Sequence, residues 1–281
     1  MLFLVFGIKA AIFPLFFWLP DSYPVASTPV TALFAGLLTK IGVYAIVRTQ
    51  TLLFPSDGPV TFMLIIAGLT MVVGVLGAIA QKDIKRILSF HIVSQIGYMI
   101  MGLGFFTVAG VAAAIVFIVH QIVVKASLFL VGGLVETSEG TGVIDEVNGV
   151  AKRSPLIAAM FLLAAFSLAG FPPFSGFVGK LGLVQAGFLA ERWVVVGVSL
   201  FASLLTLFSM SKIWSGVFWG EPAETPAERP ARGMTAATAA LVLVTLVVAV
   251  AGEPLVAYAE RAATDLLQPG AYRTLVLGVG P

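Results

Sequence analysis

Of 281 residues, 59% are hydrophobic and only 11% charged, with a mean hydropathy of +1.05. A water-soluble domain of this length needs more charge than that, so the chain reads as an all-α, polytopic membrane protein. A net charge of +2 leaves no basic stripe for nucleic acid, and the absence of cysteine excludes disulfides, thiolate metal sites and cysteine nucleophiles.

Roughly 20 apolar residues cross a bilayer, and about eight such segments follow one another: residues 1–19, 28–49, 60–80, 87–104, 108–134, 156–190, 193–219 and 235–250. Residues 1–7 have no basic n-region and no small-residue cleavage site, so they read as membrane helix and not as a signal peptide. Two segments carry internal breaks. In the first, Pro14 follows Lys9 within KAAIFPLFFWLPD; in the sixth, Gly170, Pro172, Pro173 and Gly176 precede Lys180 within AGFPPFSGFVGK. Proline removes a helical hydrogen bond and clashes with the preceding turn, which predicts two discontinuous helices. Irregular backbone at membrane depth is tolerated only against protein or a hydrated cavity, so each break marks a place where water can reach a lysine.

If the segments alternate sides, Lys82, Lys85, Arg86, Lys152, Arg153, Arg229 and Arg232 share one face, and Arg48, Arg192, Arg261 and Arg273 the other. The first face, richer in positive charge, is expected to be cytoplasmic. Residues 220–233 read as a polar loop, and the tail after Gly252 as weakly amphipathic, with Tyr258, Glu260 and Arg261 at the interface.

Ionisable groups within apolar segments are costly and point by default to an ion or proton path. Lys9, Lys40, Lys125 and Lys180 are the four lysines so placed. Lys9 sits beside the Pro14 break; the structural alternative is a lysine snorkelling from a helix end. Lys40 has Gly36 and Tyr44 four residues away, expected on the same helical face, and helix packing is its alternative role. In SFHIVSQIGYM, His91, Ser94 and Tyr98 recur at spacings of three and four, either a relay or a polar seam bonded to a neighbouring helix. His120 and Lys125 are five residues apart and off a common face, so a hydrated chain joins them more readily than a direct bond. Glu136 and Glu139, at the end of that segment, read as exposed loop residues, with a role at the access mouth as the alternative. None of the mid-membrane positions is acidic, so a carboxylate partner for the lysines is expected from elsewhere.

These segments resemble the proton-translocating membrane subunits shared by respiratory complex I (NADH-quinone oxidoreductase) and the Mrp-type multisubunit sodium/proton antiporters. The resemblance is carried by GIKAAIFPLFFWLPDSYPVASTPVTALFAGLLTKIGVYAIVR, KDIKRILSFHIVSQIGYM, HQIVVKASLFLVGG and AGFPPFSGFVGK, which together cover most of residues 7–180. The wording of LFFWLPDSYPVASTPVTALFAGLLTK is closest to the D-type subunits of the Mrp branch. The resemblance implies a fourteen-span fold built from two inverted five-helix units, of which the eight segments here match the last eight. It assigns Lys9 to the broken-helix lysine of the first unit, Lys40 to the lysine of the helix after it, and His120 to the histidine preceding the central lysine of the second unit. That central lysine is Lys125, and Lys180 matches the broken-helix lysine near the exit. The six preceding spans, with the glutamate that faces the first unit's lysine, are expected to be missing.

The division expected is residues 1–50 as a remnant of the first unit, 59–219 as a complete second unit, 220–234 as a polar loop, and 235–281 as the last span and amphipathic tail. The expected function is proton translocation as a subunit of a multisubunit sodium/proton antiporter in the bacterial cell membrane. Its partners would be the other membrane subunits, the lipid bilayer, protons and sodium, with no nucleic acid, no metal and no cofactor, and no bond-making chemistry. The rival readings are a redox-driven complex I subunit, which uses the same lysines, and a non-transporting scaffold.

Overall fold

The structure is a computed structural model that describes residues 1–54, 60–222 and 231–278. Among the described residues there is no strand, only an isolated bridge between Asp83 and Val143. The helices in chain order are α1 (Leu2–Ala10), α2 (Trp18–Ser22), α3 (Thr28–Leu52), α4 (Val60–Ala80), α5 (Ile84–Gly104), α6 (Val108–Glu139), α7 (Val150–Arg153), α8 (Pro155–Ala169), α9 (Ser175–Leu189), α10 (Trp193–Ile213), α11 (Arg232–Val250), α12 (Gly252–Leu267) and α13 (Gly270–Leu277). A π-helical turn, Trp214–Phe218, continues α10. Among the described residues, α3, α4, α5, α6, α10 with its π turn, and α11 are each long and apolar enough to cross a membrane. The chain is a multi-pass membrane protein.

Both expected breaks are present. The first segment is not one bent helix: α1 stops at Ala10, Ala11 takes the left-handed conformation at φ 61°, and α2 is a five-residue piece beyond Pro14. The sixth divides into α8 and α9 across residues 170–174. Gly170 sits there at φ +84°, and a Cβ on it would come within 2.7 Å of the Lys180 Cδ, so both conformation and space require glycine.

At the centre is α5, buried on nearly every side, with α6 beside it. Lipid is as apolar as leucine, so membrane helices gain by close backbone approach, which small residues allow. Gly74 and Gly97 do this between α4 and α5: a Cβ on Gly74 would lie 2.4 Å from Ser94 N, and one on Gly97 2.6 Å from Ala67 O. Gly42 lets the end of α1 lie against α3 in the same way. With 32 residues α6 is about 48 Å long at ~1.5 Å per residue, longer than the ~30 Å hydrocarbon core. Its last turn therefore clears the membrane as helix. Glu136 and Glu139, expected in an exposed loop, are instead on this turn and paired across it: Glu136 with Lys85, and Glu139 with Arg153 at 3.1 Å, its side chain only 7% exposed.

The basic residues of one expected face do gather at one end. Lys82 pairs with Asp145, Arg86 with Asp21, and Lys152 with Glu221, joining the loops after the first, third, fifth and seventh segments. Lys212 of α10 donates to the free carbonyls of Ile79 and Gln81 at the end of α4. Arg48 lies at the other end, over the Tyr272 ring. Arg229 and the Arg273 side chain lie outside the described residues, as does most of the 220–233 loop. The tail forms the expected amphipathic helix, α12, with Ala259 and Ala263 buried on one face and Tyr258, Glu260 and Arg261 on the open side.

Candidate proton-relay site

Lys125 is midway along α6, fully buried, and its Nζ has no hydrogen-bond partner among the described residues. Lys40 of α3 and Lys180 of α9, on helices that both pack against α6, are 5% and 7% exposed. Three lysine side chains thus lie in the interior. No carboxylate of the described residues pairs with any of them. Lys40 Nζ donates to the Ala35 carbonyl at 2.5 Å. Lys180 Nζ donates to Ala169 O at 2.9 Å, a carbonyl that the break leaves free at the C-terminal end of α8. The negative end of that half-helix dipole faces the ammonium, so the break itself supplies part of the missing counter-charge.

His120 lies over the same break. Its Nδ1 is 2.8 Å from Ser175 Oγ, the first residue of α9, and Ser175 Oγ is 2.9 Å from Ser167 Oγ on α8. Two serines from opposite sides of the break therefore fix the imidazole. Its Nε2 has no partner and points to Gly176, where a Cβ would come within 3.0 Å. With Nδ1 engaged, Nε2 is the nitrogen free to exchange a proton. Phe117 fills the space between the rings of His120 and Tyr98, 5.7 and 5.4 Å between centroids, and Lys180 Nζ stands 5.2 Å above the Tyr98 ring.

On α5, His91 and Tyr98 bond to α10, through Ser209 at 2.9 Å and through Ser199 O and Ser203, while Ser94 donates to Met71 O on α4. These three residues act as a seam between helices; Tyr98 alone of them also meets a lysine. Two expected features are not brought in. Lys9, in the last turn of α1, is exposed. Tyr44, expected beside Lys40, is 61% exposed, because residues four apart drift by about 40° and the eight from Gly36 carry it off the buried face.

Sequence reasoning does not single out Ser167, Ser175, Gln95 or Gln121. The two glutamines face each other across α5 and α6 at 3.4 Å, and Gln95 Nε2 and Gln121 Oε1 remain unpartnered in the interior. Their signal was available, an amide beside each motif in an apolar run; that of the serines was not, since it depends on contacts across 55 residues. His91 Nδ1, Gln95 Nε2, Gln121 Oε1, His120 Nε2 and Lys125 Nζ are buried polar atoms on α5 and α6 with no hydrogen-bond partner among the described residues. Such atoms call for water, the medium of proton transfer.

Residues 1–206 match the model of the family described as NADH:quinone oxidoreductase/Mrp antiporter, transmembrane. The chain belongs to this family. Within it, the chain is 46% identical over 277 residues to the D-type subunit of a Na(+)/H(+) antiporter of Alkalihalophilus pseudofirmus, covering 97% of the chain and 56% of the relative. It is 38% identical to the Bacillus subtilis protein of the same name, over 99% of the chain and 57% of the relative. Among solved structures of the family, a chain of the Mrp complex from Dietzia superposes with a TM-score of 0.94 at 36% identity, covering 98% of this chain and 60% of that one. The chain thus spans somewhat more than half the length of the relatives it matches.

Proposed function

We propose that this chain carries protons across the membrane as a D-type subunit of a multisubunit sodium/proton antiporter of the Mrp branch. The observation that carries the reading is the burial together of Lys40, Lys125, Lys180 and His120 on packed helices, with polar atoms left unpartnered among them. Like charges in a low-dielectric interior repel strongly, so a proton loaded on one lysine favours release from the next. Lys180 releases and reloads on the carbonyl end of α8, His120 passes a proton through Nε2 while the serines hold Nδ1, and Lys125 joins them to Lys40 through water. His91, Ser94 and Tyr98 support this line from α5, and Lys9, exposed on α1, lies outside it. Residues 59–219 form the working five-helix unit, 1–50 belong to a first unit, 220–234 link them to the final span, and 235–281 hold that span and tail. The end rich in lysine and arginine faces the cytoplasm. The partners are other membrane subunits of the complex, and the transported ions are protons and sodium. Ion gradients drive the cycle, with no bond made or broken in a substrate and no cofactor.

The relatives' names, as D-type subunits of Na(+)/H(+) antiporters, support the antiporter over a redox-driven pump. The test is sodium-dependent proton flux in inverted vesicles lacking other antiporters, comparing the full partner set with the same set carrying Lys180→Ala at equal assembly. Flux that collapses in the variant is expected. Undiminished flux in the variant, or none in the parent despite assembly, contradicts the reading.

A further inference from the structure

Away from the lysine line, α4 and α10 diverge at the end of the molecule opposite the ion-paired loops and leave a groove of about 520 Å3 between them. Its walls are apolar, with Leu64, Ile65, Leu69 and Val72 on one side and Val195 and Val198 on the other. From Thr61 to Val72 it follows α4 for about 16 Å at ~1.5 Å per residue, close to half of the ~30 Å hydrocarbon core. The groove is as deep as one leaflet. Gly68 on its wall differs from the glycines that press helices together: a Cβ there would meet only Val198 Cγ1, at an ordinary 3.8 Å, whereas one on Gly74 would lie 2.4 Å from backbone. Its missing side chain widens the groove and is not needed for packing.

The mouth is charged in both signs. Glu191 and Arg192 form the link between α9 and α10, both exposed and neither in an ion pair among the described residues. Glu191 adopts φ 55°, uncommon for a residue with a side chain, fixed by its N–H to Phe188 O and by Arg192 N–H to Gly187 O. The turn therefore holds an acid and a base side by side at the rim. Trp193 follows, its ring tilted at 59° against Phe188, an amphipathic ring of the kind found at the level of lipid headgroups.

We infer that this groove is a binding site for one phospholipid with a zwitterionic, amine-bearing headgroup. One acyl chain fills the groove along Gly68, the phosphate meets Arg192, and the head ammonium meets Glu191. A purely anionic head would place charge beside Glu191 without satisfying it, and a choline head has no N–H to donate to the carboxylate.

The test uses the full chain in its native assembly, delipidated in detergent, with dioleoyl phosphatidylethanolamine, phosphatidylglycerol or phosphatidylcholine added and bound lipid counted by native mass spectrometry. One phosphatidylethanolamine per chain is expected, retained roughly fivefold better than either competitor, the scale of one charge contact at a membrane surface. Glu191→Gln should bring it down to the level of the competitors, Arg192→Gln should lower retention of all three lipids together, and Gly68→Leu should abolish retention by filling the groove. Glu191 and Arg192 are exposed, so their variants keep the fold and the test stands on them even if Gly68→Leu disturbs packing. Equal retention of the three lipids, a preference for phosphatidylglycerol, or phosphatidylethanolamine binding unchanged by Glu191→Gln or by Arg192→Gln overturns the inference.

Discussion

The two broken segments look alike in sequence, each with a proline break and a lysine, yet they resolve the same backbone problem with different groups. A break frees carbonyls that must find donors at membrane depth. At the first, the Trp18 indole N–H donates to Ile8 O at 2.9 Å and Phe13 N–H donates to Thr70 Oγ1 on α4 at 3.0 Å, while Lys9 stays exposed on the outer face of α1. At the second, Lys180 itself caps Ala169 O, enclosed by α5, α6 and α8, with a histidine bonded across the gap. At the first break the indole adds to a carbonyl that the Ala11 N–H already reaches, whereas at the second the donor is a titratable side chain. The two breaks thus differ in which donor takes the carbonyl, and on the proposed function only the second answers to a proton.

Each prediction strains that contrast. Of the substitutions at the two breaks, the largest effect is expected from Lys180→Ala, which should lower sodium-dependent proton flux by about a hundredfold, the low end of what a positioned proton-transfer group contributes. Trp18→Phe at the first break should reduce flux far less and cost only about 1 kcal/mol of stability, the value of one hydrogen bond. Next is Gly176→Ala: its Cβ would be placed 1.8 Å from Ser167 O, so overpacking of about 3 kcal/mol is expected, read as a lower midpoint in detergent melting.

Ser175→Ala leaves His120 Nδ1 without its partner, and the expected loss is about 1–3 kcal/mol with a severalfold fall in flux and an altered pH profile. Ser175→Thr, which keeps the hydroxyl, should restore both. A variant profile identical to the parent's would make the serine a packing residue only. The smallest effect is expected at the exposed Lys82–Asp145 pair outside the membrane, where Lys82→Ala should leave melting and flux unchanged. The hydrogen bond and charge of Lys82 hold the Asp145 carboxyl below its usual range, and Asp145 holds the Lys82 ammonium above its own. The pair therefore persists through neutral pH, lost only when pH falls through the depressed carboxyl value or rises through the raised ammonium value. A melting curve that differs between parent and variant near pH 7 would contradict this.

Much of the fold was legible because membrane helices announce themselves by length and the breaks by proline and glycine. The order of segments, both discontinuities and the amphipathic tail all follow from those signals. The burial of Lys40, Lys125, Lys180 and His120 was legible for the same reason, since each lies in an apolar run. What could not be read was partnership. Apolar helices with little amphipathic bias do not declare which face turns inward, so Lys9 and Tyr44 are outside while their neighbours are inside. Glu136 and Glu139 depart from expectation because α6 outlasts the bilayer as helix and its last turn finds Lys85 and Arg153. The serine pair holding His120 depends on two stretches of backbone meeting across the break, which no local pattern encodes.

The central claim is that a proton crosses through the unpartnered ammonium in the middle of α6. The most direct measurement is proton flux through the assembled complex carrying Lys125→Ala, with Lys82→Ala as the companion variant and assembly matched by quantifying each subunit. The account predicts that flux disappears in the first and is retained in the second. Full flux with alanine at position 125 would contradict it and reduce the buried lysines to structural elements.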